Sequence, residues 1–167
     1  MMLNDEEEGP VDKGNQGFSR AANRLLHRTP LGEHPNYAIV IDGHSQEEQL
    51  KRGAATTIGN GASFAGFSSS TRGGVTPPQL LGFKRELASW LRPHGVDLFE
   101  HPGYVGRSDD ISLMQWTPNV SIVGYPNAYS HFEKPPLSSM SDLLNLTKTL
   151  VMLTLVAQND DWQKAYL

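Results

Sequence analysis

The chain contains no cysteine. Disulfide frameworks, thiolate metal sites and a cysteine nucleophile are thereby excluded, and any metal must be held by histidine and carboxylates. Positive charge is scarce as well. Lys and Arg number 14 against 18 Asp and Glu, the formal net charge is -4, and no basic cluster exceeds two adjacent residues (Lys51-Arg52, Lys84-Arg85). This argues against a nucleic-acid partner. The start is acidic (Asn4-Asp5-Glu6-Glu7-Glu8), the opposite of a basic secretory signal, which tilts the expected compartment towards cytoplasm. The longest apolar stretch, 143–157, is interrupted by Asn145, Thr147, Lys148, Thr149 and Thr154. It reads as too short and too polar for a bilayer span, so no membrane partner is expected. No Gly-x-Ser-x-Gly elbow occurs. Ile58-Gly59-Asn60-Gly61 lacks the Gly-Lys-Ser/Thr ending of a phosphate loop and the third glycine of a dinucleotide fingerprint.

What is present fits one domain of 167 residues with much loop, given 16 Gly and 11 Pro. Phe18, Ala21, Ala22, Leu25 and Leu26 follow helical spacing and predict a short amphipathic helix over 17–27. Tyr37-Ala38-Ile39-Val40-Ile41 predicts a buried strand ended by Asp42-Gly43. Residues 45–53 have helical character, and glycines dominate 59–74. Thr76 and Gln79 have capping-box spacing around Pro77, with Val75 and Leu80 placed as a hydrophobic staple. Leu80, Phe83, Leu87 and Leu91 then predict a helix that stops near Arg92-Pro93, with Gly95 beyond. Strands are expected at 96–99 and 120–125, a short helix at 110–116, and a last helix at 140–158, capped by Ser139 or Asp142 and well buried. Residues 158–167 read as a polar tail. This order favours an α/β layered fold with a mainly parallel or mixed sheet flanked by helices.

In such sheets, sites gather at the carboxyl ends of strands. Asp42 follows one predicted strand, and His131 lies in the loop after another. The acid run 5–8 follows Met1-Met2-Leu3, which could be the stub of a third strand. Glu, Asp and His would then meet at one edge as a set of oxygen and imidazole ligands. Each piece has a plainer reading: a solvated tail, a turn aspartate, a surface histidine. His44, two residues after Asp42, reads as a turn residue or as a second side chain on the same side of a strand. His27, His34, His94 and His101 carry no motif.

Taken together and in order, three segments resemble the di-zinc (co-catalytic) aminopeptidases, a superfamily of zinc-dependent exopeptidases. Asn4-Asp5-Glu6-Glu7-Glu8-Gly9 is similar to their Asp-Glu-Glu-x-Gly motif. Ala38-Ile39-Val40-Ile41-Asp42 is similar to the strand that ends in a zinc-binding Asp. Gly106-Arg107-Ser108-Asp109-Asp110 through Tyr125-Pro126-Asn127-Ala128-Tyr129-Ser130-His131-Phe132 is similar to the closing unit whose loop His binds zinc. The likeness runs from about residue 3 to 157, over the C-terminal half of a catalytic domain with a three-layer, phosphorylase/hydrolase-like fold.

The resemblance implies peptide substrates and metal-dependent removal of N-terminal residues. Glu6 would be the general base, and Glu7 and His131 would hold one zinc and Asp42 the other. Glu7 and Glu8 are an alternative base and ligand. Cobalt or manganese also suits these ligands. Ser108 and Asp109 would support or orient at the site or cap the loop, while Tyr104, Arg107, Tyr125 and Tyr129 would line a substrate pocket or simply pack. Family members often oligomerise, which makes a homo-oligomer an expectation. The family's first zinc-binding His and bridging Asp precede the Glu-Glu motif, so at most three of five ligands are expected here, with little activity from this chain alone. The competing reading is a non-catalytic α/β remnant acting in binding or assembly.

Overall fold

The computed structural model describes residues 20–68, 73–101, 109–129 and 134–167. In chain order these form α1 (Arg20–Arg28), a 3-10 turn (Leu31–Glu33), β1 (Ala38–Ser45), α2 (Glu47–Lys51), β2 (Ala62–Ala65), β3 (Phe67–Ser68) and β4 (Gly73–Gly74). There follow α3 (Pro78–Leu91), a 3-10 turn (Arg92–His94), β5 (Leu98–Glu100), α4 (Asp110–Leu113), β6 (Val120–Ala128), β7 (Leu137–Ser138), α5 (Met140–Ala157) and α6 (Asp160–Tyr166).

The main sheet has five strands in the order β1-β6-β2-β5, with β7 added to the end of β6. It is mixed rather than mainly parallel. β1 runs parallel to β6 and β2 parallel to β5, but β2 is antiparallel to β6. Register then assigns the faces, because side chains alternate along each strand and paired residues point the same way. Ile39, Val123, Phe64 and Leu98 share one face, under Leu87, Ala88 and Leu91 of α3 and Leu146 and Leu153 of α5. Ala38, Val40, Val120, Ile122 and Ala65 share the other, with Leu113 of α4 and Trp116. Helices therefore flank both faces.

Several helix ends differ from expectation. Thr76 does not cap α3. Pro77 occupies that position, and the Thr76 hydroxyl donates to the Ala65 carbonyl at 3.3 Å. Ser139 stands at the N-cap of α5 without a side-chain cap bond. Asp142 turns inward instead and accepts from the backbone N–H of Gly59 and Gly61, each at 2.7 Å. Gly61 is obligatory in that clamp. Its φ is +110°, and a Cβ there would run into the Asp97 backbone. α3 ends as expected, at Leu91 and a 3-10 turn closed by Gly95 in the left-handed region.

Two further expectations are corrected. The segment read as a polar tail contains α6, N-capped by Asn159, whose side chain accepts from Trp162 N at 2.9 Å. Buried Trp162 packs its ring against Tyr37 and Phe83. Burial pushes the Tyr37 hydroxyl up to about 12. α5 is not buried all round either: Leu144, Val151 and Leu155 are each more than half exposed. By length and composition it could cross a membrane, but Leu146 and Leu153 place it as a core helix of the sheet.

Candidate functional site

Strand β1 does not stop before Asp42. It continues through Ser45, pairing Asp42 with Gly124, His44 with Pro126 and Ser45 with Asn127. Asp42 therefore projects from within a strand, half-buried, and its Oδ1 accepts the Gly43 N–H at 2.7 Å. Gly124 is essential beside it. A Cβ there would run into the Asp42 carbonyl and come within 3.1 Å of His44 Nε2. The missing side chain leaves room on the face that Asp42 and His44 share.

His44 uses that room and is no turn residue. It is fully buried, with Nδ1 2.5 Å from Ser63 Oγ on β2, two strands away. The ring of His101, just after β5, meets it edge-on at 5.5 Å between centroids. Gln46 joins the two ends of the cluster. Its Nε2 donates to His101 Nε2 at 2.6 Å, which places the proton of a neutral His101 ring on Nδ1. Its Oε1 accepts from Thr57 N and Thr57 Oγ1, both at 3.0 Å. Burial lowers the His44 pKa to about 3, with His101 and Lys84 adding like-charge repulsion, and burial lowers that of His101 as well. Both rings are therefore neutral at physiological pH.

Lys84 is the other buried group nearby. It is 1% exposed, donates to Thr76 Oγ1 at 3.3 Å and sits 5.4 Å above the Phe64 ring. Burial lowers its pKa to about 7 against the opposing pull of Glu100. Glu100 is itself forked by Arg85 at 2.6 and 2.9 Å, which holds its carboxyl below the usual range.

Of the residues expected at the site, Asp42, Asp109, Tyr125 and Tyr129 fall among the described ones. Glu6, Glu7, Tyr104, Arg107, Ser108 and His131 lie outside them. Asp109 precedes α4, where its carbonyl accepts from Ser112 N and Leu113 N at 3.0 Å. Tyr125 lies on the face opposite Asp42 and packs against the α3–α5 core, so it lines no pocket beside Asp42. Tyr129 takes a left-handed φ of 62° and carries Lys134 Nζ 5.0 Å above its ring. Among the described residues no group of three or more His, Asp or Glu is placed to hold a metal ion, and Asp42 by itself is not a metal site.

Sequence reasoning passed over Ser63, Gln46, His101 and Lys84. The signal for Lys84 was there: positions 80, 84, 87 and 91 form one helical stripe, and all four are buried.

No family model and no curated protein matches the chain by sequence. Solved structures do match by fold. A TET aminopeptidase from the marine sediment archaeon Thaumarchaeota archaeon SCGC AB-539-E09 superposes with a TM-score of 0.67 at 16% identity, over 95% of this chain and 41% of that one. The aminopeptidase APDkam598 from Desulfurococcus kamchatkensis gives 0.63 at 18% identity, over 92% and 40%. The TET1 peptidase of Pyrococcus horikoshii, which can assemble into a tetrahedron or a large octahedral shell, gives 0.56 at 20%, over 83% and 36%. The chain shares the fold of these aminopeptidases. It spans about two-fifths of their length.

Proposed function

We propose that the chain carries part of an aminopeptidase-type peptide hydrolase site, with Asp42 as one of its metal ligands. The observation that carries this reading is the placement of Asp42: a half-buried carboxylate on the Gly124 side of β1, in a fold shared with aminopeptidases. β6 runs parallel to β1, so the chain that leads on to His131 departs from the same end of the sheet.

In this reading Asp42, Glu7 and His131 hold zinc, or cobalt or manganese, in a centre of two ions when complete. Bound metal would supply Lewis-acid activation of water and of the scissile carbonyl. Glu6 takes a proton from the activated water and passes it to the leaving amine; in the alternative register Glu7 is that base and Glu8 the ligand. Asp109 and Ser108 orient the loop beside the site, with Tyr104 and Arg107 towards the substrate. The ligands upstream in the resembled family have no counterpart in these residues, so the chain alone is expected to turn over aminoacyl p-nitroanilides weakly or not at all.

The test is zinc binding by calorimetry together with that assay. Asp42→Ala and His131→Ala should each weaken zinc binding by about tenfold or more. Unchanged binding in both variants would remove the proposed site. Strong turnover by the wild-type chain that chelator abolishes would overturn the expected impairment.

A further inference from the structure

We propose that Asn60 is a self-modification site: its side-chain amide is lost by attack of the Gly61 backbone nitrogen, and the Asp142 carboxylate holds that reaction in check. This is independent of the peptidase reading. Asn60 is the one asparagine of the chain that is followed by glycine. Glycine has no side chain to hinder the approach of its own nitrogen to the preceding Cγ, so this dipeptide is the chemically weak point of the sequence. Asn60 is exposed, at the end of a turn in which its N–H donates to the Thr57 carbonyl at 3.0 Å.

The reaction needs no outside reagent but water. The Gly61 nitrogen bonds to Asn60 Cγ, the Cγ–Nδ2 bond breaks, and ammonia leaves with the proton that Gly61 gave up. Water then opens the resulting five-membered imide at either carbonyl. One opening gives aspartate at position 60. The other gives isoaspartate, in which the main chain runs through the side-chain carboxyl carbon.

The fold opposes the first step at one atom. The nitrogen that must attack is the one whose N–H points into Asp142, 2.7 Å from Oδ1. Asp142 is fully buried on α5, and its other oxygen accepts from Gly59 N at 2.7 Å, so the carboxylate cannot follow a swinging peptide. The far side is fixed as well. Ala62 N donates to the Asp97 carbonyl at 2.9 Å, and Gly61 lies against that same carbonyl. Attack requires the Asn60–Gly61 peptide to turn out of this clamp and lose a charge-assisted hydrogen bond, which slows it by about tenfold to a hundredfold. Once isoaspartate forms, the extra main-chain carbon displaces Gly61 from Asp142 and the clamp cannot re-form. β2 begins one residue later and carries Ser63, the partner of His44, so the change reaches the buried cluster on the Asp42 face of the sheet.

The test follows the amide-to-acid mass gain at Asn60 by peptide mapping of the full chain, aged in mildly alkaline buffer. The samples are folded wild type, wild type in urea, Asp142→Asn, and Leu153→Ala, a core truncation that leaves the clamp in place. Asn60 is expected to convert in urea, with isoaspartate among the products, and about tenfold to a hundredfold more slowly in the folded chain. Asp142→Asn keeps the shape and one acceptor oxygen but lacks the charge, and should convert about fivefold or more faster than folded wild type. Leu153→Ala should age like wild type. If circular dichroism shows Asp142→Asn to be unfolded, hydrogen exchange of the wild type decides, because the Gly61 amide must open before it can attack. Its protection from exchange should be of the same order as the protection of Asn60 from conversion. An Asn60 that stays intact in urea, equal rates in folded and unfolded wild type, a folded Asp142→Asn no faster than Leu153→Ala, or an unprotected Gly61 amide would each overturn the inference.

Discussion

A lysine with 1% of its surface exposed and one long hydrogen bond is an unusual core residue. Its consequence for stability has a definite sign. Burial brings Lys84 down to about 7 in the folded chain, against the ordinary lysine value of 10.5 in the unfolded one. Between those values the unfolded chain binds more protons, so this group makes the fold more stable as pH rises from about 7 towards 10. Below pH 7 both states are protonated and the full cost of burying the ammonium is felt. Lys84→Met, similar in length and apolar, is therefore expected to raise stability by about 2–4 kcal/mol at pH 6 and by less than about 1 kcal/mol at pH 10. Urea denaturation of both proteins at the two pH values measures this, and an equal effect at both would refute the assignment. Gly124 belongs to the same scale. Gly124→Ala forces a Cβ onto the Asp42 carbonyl, which is backbone and cannot swing aside, and a loss of about 3 kcal/mol or more is expected by the same assay. Only part of this is legible in the sequence. Lys84 occupies a buried helical position that its charge disguises, and the need for Gly124 arises only when β1 and β6 are placed side by side.

At the scale of elements the sequence is more informative. The apolar run at 37–41, the Pro at 77 and 78, and the Gly95 stop place β1 and α3 to within a few residues, because each signal acts through the local backbone. What fails is the use made of polar side chains. Thr76 and Asp142 have cap chemistry, but each finds a better-placed partner from elsewhere in the chain: the Ala65 carbonyl for one, the Gly59 and Gly61 amides for the other. The last helix shows the same limit. Its bounds are legible, yet a helix apolar on most sides does not reveal which side meets the sheet. The structure decides it, and a pair of substitutions separates the faces. Leu153→Ala, in the core and 1% exposed, should cost about 2–5 kcal/mol, whereas Leu155→Ala on the outer face should stay within about 0.5 kcal/mol at concentrations where the chain is monomeric. Comparable losses from both, read by chemical denaturation, would mean that α5 is rotated from the orientation described.

For the whole molecule, the order of the longer elements from β1 to α5 is readable, whereas β2, α6 and the strand pairing are not. β2 is four residues with no alternation to exploit, and whether it runs with or against β6 depends on a chain path that spans some sixty residues. The candidate site has the same character. Asp42 stands out as an acid at a strand end, but its neighbours His44, Ser63, Gln46 and His101 come together only through strands distant in sequence. A ligand set drawn from residues 7, 42 and 131 would be a tertiary object of this kind, since only the folded chain could bring the three together. Metal bound there stabilises the native state alone, by about 2.7 kcal/mol when free metal is at a hundredfold excess over its Kd. For a domain of this size each 1 kcal/mol moves the melting temperature by about 2–4 °C. Zinc at that excess should therefore raise the melting temperature of the wild-type chain by roughly 5–10 °C, with chelator reversing it and Asp42→Ala removing about half of it or more. Differential scanning calorimetry with and without zinc reads the effect directly. A rise that survives Asp42→Ala intact would assign the metal to other residues, and no rise at all would leave Asp42 as a strand residue in an aminopeptidase-like fold, with no metal to hold.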